Sequence, residues 1–209
     1  MNRHKLLIIA MISIFCVTIL SSGCSTSTND NLNQVQNFDN IIFKDQDKLY
    51  DLYEEIESKK DYRAFAGEST RDYPDAEEYT EFSEDAIYHL REYGNFLKEN
   101  KNTLEQDGID TSTKFYNISE CYRNILSMDA EILNVFYNEY VWEKKVDFNV
   151  PGYNKYMDFS LIAIHHVEEY EYFLRNNEEE LEKSGVDVSD LLITISSYKQ
   201  DIKYVRNNM

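Results

Sequence analysis

Residues 74–112 align without a gap on residues 151–189, at an offset of 77, and 17 of the 39 positions are identical. A chain that repeats itself over this length folds as copies of one supersecondary unit, so the architecture follows from the unit. The identities include Pro74/Pro151, Tyr79/Tyr156, Phe82/Phe159, His89/His166, Tyr93/Tyr170, Leu97/Leu174, Leu104/Leu181 and Gly108/Gly185.

Within the first copy Tyr79, Phe82, Ala86, Leu90, Tyr93, Leu97 and Leu104 recur at steps of three, four or seven, which puts them on one stripe of a helix. The equivalent stripe runs from Tyr156 to Leu181. Pro74 and Pro151 suit a first helical position, where a missing N–H is no loss. Gly108 and Gly185 suit the left-handed residue that ends a helix, and Ile109 or Val186 can fold back on the last turn. Asp110 or Ser112, and Asp187 or Ser189, stand ready to cap the next helix, and a connection this short makes the neighbours antiparallel.

Flanking segments carry the same period. Residues 39–62 place Ile42, Leu49, Tyr53 and Ile56 at helical spacing, and residues 112–146 do so with Phe115, Ile118, Tyr122, Ile125, Ile132 and Phe136. Residues 188–206 repeat the opening of the third helix. With only six Gly and two Pro, the chain has few turns to spend, which favours long helices over many strands. The sequence therefore predicts an all-α antiparallel bundle of about five helices, containing a duplicated helical hairpin, over residues 39–209. Leu161-Ile162 in the second copy replaces Glu84-Asp85 of the first, so the fourth helix is expected at the centre, with the fifth packed against it.

The N-terminus reads as an export signal. A basic start with Arg3 and Lys5 leads into an apolar run at residues 6–20 and a small-residue exit at Ser21-Ser22-Gly23-Cys24. The run is short for a spanning helix, which needs about 20 apolar residues. The segment Leu20-Ser21-Ser22-Gly23-Cys24 resembles the lipobox of prokaryotic lipoproteins, with Ser21 where that pattern carries an aliphatic residue and Leu20 displaced by one. The resemblance implies a signal peptide at residues 1–23 and a lipid-modified Cys24, which would anchor the chain at the outer face of the cytoplasmic membrane. An uncleaved N-terminal signal anchor is the alternative. Residues 24–38 are polar and aperiodic and read as a flexible tether.

The formal charge is −18, and loss of Arg3 and Lys5 would take it to −20. Such a field repels phosphate backbones, so nucleic acid is excluded as a partner. Three groups of residues remain as candidates for function. His89-x-x-Glu92 and His166-x-x-Glu169 recur at equivalent places, and paired His and carboxylate motifs on facing helices are how bundles hold two metal ions. A divalent metal on His89, Glu92, His166 and Glu169, with a redox or storage role, is thus the alternative to a cofactor-free protein. Tyrosines gather around the join of the third and fourth helices, where Tyr137, Tyr140, Trp142, Tyr153 and Tyr156 could form a contact surface for a protein or small-molecule partner. Asn117-Ile118-Ser119 is a glycosylation sequon. Cys121, with no His near it in sequence, is expected to be a buried thiol. No nucleophile elbow, phosphate-binding loop, dinucleotide fingerprint or His-Glu-x-x-His is present. The function read from the sequence is that of a lipid-anchored binding, accessory or scaffold module, not an enzyme.

Overall fold

The computed structural model describes residues 26–66, 74–146 and 151–209, and among them the chain is all helix and turn. Six helices follow in order: α1 Thr26–Ala66, α2 Pro74–Gln106, α3 Thr111–Val146, α4 Pro151–Asn176, α5 Glu178–Lys183 and α6 Val188–Asn208. The five long ones are those the periodicity predicts.

The two glycine turns are built alike. Gly108 and Gly185 have φ of +83° and +89°. Around Gly108 the Ile109 N–H donates to the Leu104 carbonyl at 2.9 Å and the Gly108 N–H to Glu105 at 3.1 Å; around Gly185 the same bonds run from Val186 to Leu181 and from Gly185 to Glu182, both at 3.0 Å. This pairing satisfies carbonyls that a helix end otherwise strands, and it folds Ile109 and Val186 back onto the core. The following helices are capped by aspartates rather than serines. Asp110 accepts from the Thr113 N–H and hydroxyl, and Asp187 accepts from the Asp190 N–H. Those bonds to Thr113, the side-chain one foremost, hold the Asp110 carboxyl below its usual range. A Cβ at Gly108 or Gly185 would meet no neighbour within 4 Å, so any penalty there comes from the backbone alone. Gly108→Ala and Gly185→Ala should each lower unfolding free energy by about 1–2 kcal/mol in urea titrations; unchanged midpoints would contradict the left-handed cap.

Two boundaries differ from the sequence reading. The second copy breaks at Asn177, whose side-chain amide donates to the Phe173 carbonyl at 2.8 Å. Glu178, Glu179 and Glu180 then suit the start of a new helix, where the first copy has Lys-Asn-Thr. The first helix also reaches back to Thr26, into the segment expected to be a tether. Val35 is buried, Phe38 stacks on Tyr93 at 4.8 Å, and the Asn31 amide donates to Asp107 at 3.1 Å.

The helices pair most closely as α1 with α2 and α3 with α4, hairpins that cross neither glycine turn, and α3 also packs on α2 across the Gly108 turn. Like helices lie side by side, α1 next to α3 and α2 next to α4, while α6 lies on α4. Among the described residues α1 and α4 do not meet, so the hairpins are stacked rather than closed into a ring. Positions 77 apart share their burial: Tyr79 and Tyr156, Ala86 and Ala163, Leu90 and Val167, Tyr93 and Tyr170, Leu97 and Leu174, and Leu104 and Leu181 are all in the core. The fourth helix is not wrapped all round as its apolar run predicts. It packs against α2, α3 and α6, yet Leu161 is half exposed, because no helix follows in the place that α4 takes beside α2.

Candidate functional site

Asp45 shares the inward stripe of α1 with Ile42 and Leu49, and Asp129 lies between Ile125 and Ile132 on the corresponding stripe of α3. Both carboxylates are therefore carried into the core by their apolar neighbours. Each meets the histidine of its own hairpin: His89 Nδ1 lies 2.8 Å from Asp45 Oδ2, and His166 Nδ1 lies 2.8 Å from Asp129 Oδ2. A carboxylate is an acceptor only, so Nδ1–H donates and the ring orientation is fixed.

The two pairs differ in what surrounds them. The first is partly open, with the His89 side chain 37% exposed. The second is closed, with His166 and Asp129 both at 0%. Asp129 also accepts from the Tyr79 hydroxyl at 3.0 Å, which ties α2 to the second hairpin. On the far side of the ring, His166 Nε2 is buried without a hydrogen bond and faces Glu84 Oε1 at 3.8 Å. Glu84 Oε2 lies 3.4 Å from Nε2 of the more exposed His165. Burial alone would push the His166 imidazole down; the charge of Asp129, its hydrogen bond, and the charges of Glu84 and Glu169 outweigh burial and raise it above its usual range. Burial beside Asp129 pushes the Tyr79 phenol well above its ordinary value, so it stays a donor.

Further polar contacts cross the core near these pairs. Tyr93 donates to Asp39 at 2.9 Å, Lys114 pairs with Asp39 at 2.6 Å, and the Tyr170 and Ser119 hydroxyls bond at 2.7 Å.

The four residues of the metal reading, His89, Glu92, His166 and Glu169, are not brought together at one place. Each histidine uses Nδ1 on a carboxylate of a neighbouring helix, Glu169 pairs with Arg91 at 3.6 Å, and half-buried Glu92 joins neither pair. Among the described residues no group of three or more His, Cys, Asp or Glu side chains is placed to hold a metal ion.

The tyrosine cluster is partly gathered. Tyr140 and Tyr156 are buried, Tyr137 and Tyr153 are exposed, and the rings of Tyr137/Tyr156 and Tyr140/Tyr153 sit 6.1 and 6.0 Å apart. The Trp142 side chain and Cys24 lie outside the described residues. Tyr140 donates to the Met209 carbonyl at 2.8 Å, which brings the end of α6 alongside the end of α3. Between them runs an open groove of about 460 Å³, lined by Tyr137, Tyr140, Val141, Lys144, Tyr204 and Met209 among others. Tyr204, Val205 and Asn208 are contributed by α6, and the sequence reading did not include them.

The sequon lies within α3, where Ile118 and Ser119 are buried and the Ser119 hydroxyl is taken by Tyr170. Asn117 itself is half-buried. Cys121 is buried, and desolvation pushes its thiol up to about 12, which makes it inert.

No protein-family model matches the chain, and neither a curated protein nor a solved structure is similar to it. Fold and site define an all-α stack of helical hairpins with one open and one buried carboxylate–imidazole pair and an aromatic groove at one end. No helix among the described residues is long and apolar enough to cross a membrane.

Proposed function

We propose that this is an exported, lipid-anchored helical module that acts by binding another protein of the cell envelope, with Cys24 as its anchor. The observation that carries the binding reading is the aromatic groove between the ends of α3 and α6. Tyr204 there is 70% exposed and Tyr137 is also exposed. Tyrosines leave large apolar faces in water that association would cover, while their hydroxyls keep the free surface soluble. Charge selects the occupant: at −18, or −20 once processed, the chain repels a second copy of itself, anionic lipid and nucleic acid. A protein partner with a neutral or basic contact surface fits this field.

A photoreactive residue at position 204 of the full chain, expressed in its native envelope, should give one discrete adduct heavier than the chain by the mass of a polypeptide. The same probe at Phe43 on α1 should give none. No adduct at 204, or an adduct at twice the chain mass, contradicts the reading.

A further inference from the structure

His166 sits where two hairpins join. Asp129 and His166 belong to the second hairpin, while Glu84 and Tyr79 belong to α2 of the first. The imidazole therefore lies between two carboxylates from different helices, Asp129 at Nδ1 and Glu84 at Nε2, with no solvent at the ring. Other titratable or charged groups reach it from each packed element: Tyr79 and Arg91 of α2 through Asp129 and Glu169, His165 and Glu169 on α4 itself, and Tyr198 of α6, whose buried hydroxyl senses Asp129. Helix α1 does not pack on α4, and α5 lies beyond the C-terminal end of α4. The first copy lacks this arrangement. His89 has its own Asp45, and among the described residues it makes no second ion pair.

We propose that His166 is a pH-operated clasp: protonated, it holds α4 against α2 and so couples the stacking of the two hairpins; neutral, it releases that link. An imidazolium has two N–H donors, one for Asp129 and one aimed at Glu84. A neutral ring keeps Nδ1–H on Asp129 and turns a bare lone pair toward a carboxylate. The ring then stands between two carboxylates without a charge of its own, which disfavours the closed joint.

The sign of the pH effect follows. The folded ring is held charged above the usual imidazole range, so the stabilisation is complete below about 6.5 and is lost as pH rises through the higher folded value. Tyr79 keeps its proton throughout and takes no part in the transition.

The test uses the full chain and Glu84→Gln, a substitution at a partly exposed side chain that should leave the fold intact. In wild type the His166 ring, followed by NMR, should titrate above its unfolded value. In Glu84→Gln its midpoint should fall. Thermal midpoints measured between pH 6 and 9 should decline more steeply in wild type than in Glu84→Gln, the remaining groups being common to both. His165→Gln, which removes the exposed imidazole on the same carboxylate, should keep the wild-type slope. Identical slopes in wild type and Glu84→Gln, a His166 ring already neutral at pH 6, or loss of the slope in His165→Gln would each overturn the proposal.

Discussion

Replacing Asp129 by alanine should lower unfolding free energy by about 3–5 kcal/mol. The carboxylate is fully buried and serves two groups at once, the Tyr79 hydroxyl and His166 Nδ1–H, and neither has water to turn to. Removing it strands both donors and takes away the charge that holds the imidazole. Asp129→Asn should fall between, since its amide keeps an acceptor for Tyr79 but loses the charge. Asp45→Ala is the internal comparison. Its histidine is 37% exposed and can be rehydrated, so the loss there should be smaller. Urea unfolding of the three variants measures this directly. Equal losses at positions 45 and 129 would contradict the description of one pair as open and the other as closed.

The second large effect lies in packing. Tyr170 is fully buried, stacks on Tyr122 at 5.2 Å and bonds to the Ser119 hydroxyl at 2.7 Å. Tyr170→Ala should cost about 3–5 kcal/mol by opening a cavity between α3 and α4. Tyr170→Phe keeps the ring and leaves Ser119 without its partner, so the loss should be about 1 kcal/mol. Two residues on, Tyr172 is 60% exposed, and Tyr172→Ala should stay within about 0.5 kcal/mol. A Tyr172 variant as unstable as the Tyr170 one would mean that the inward stripe of α4 is misassigned.

The helices and their glycine stops were legible because both are local signals, repeated in sequence at a constant offset. Leu90, Tyr93, Leu97 and Gly108 state their roles within their own helix. The carboxylate–histidine pairs were not legible for two reasons. Periodicity tells which face a residue occupies, not which residue of another helix stands opposite, so His89 was matched with Glu92 on its own helix instead of Asp45, 44 positions away. The second pair spans 37 positions, and this difference of seven hides the correspondence of Asp45 with Asp129 from a comparison at a single offset. At an offset of 84 the signal is present, in Ile41/Ile125, Asp45/Asp129, Leu49/Leu133 and Tyr53/Tyr137.

The start of α1 was missed because its composition is polar, yet Val35, Ile42, Leu49 and Ile56 recur every seven residues and all are buried. Tyr137 and Tyr140 were marked by their density along the chain. Tyr204 was not, since only the packing of α6 on α4 brings its end to the groove. Burial of Cys121 was readable from its isolation in the sequence, and the fold gives it no ionised form to use.

The central claim, that this stack of hairpins works from a lipid anchor outside the membrane, is tested most directly by the intact mass of the protein purified from its native envelope. The account predicts a chain that begins at Cys24 and carries the added mass of lipid. A chain retaining Met1, or one beginning at an unmodified Cys24, would contradict it.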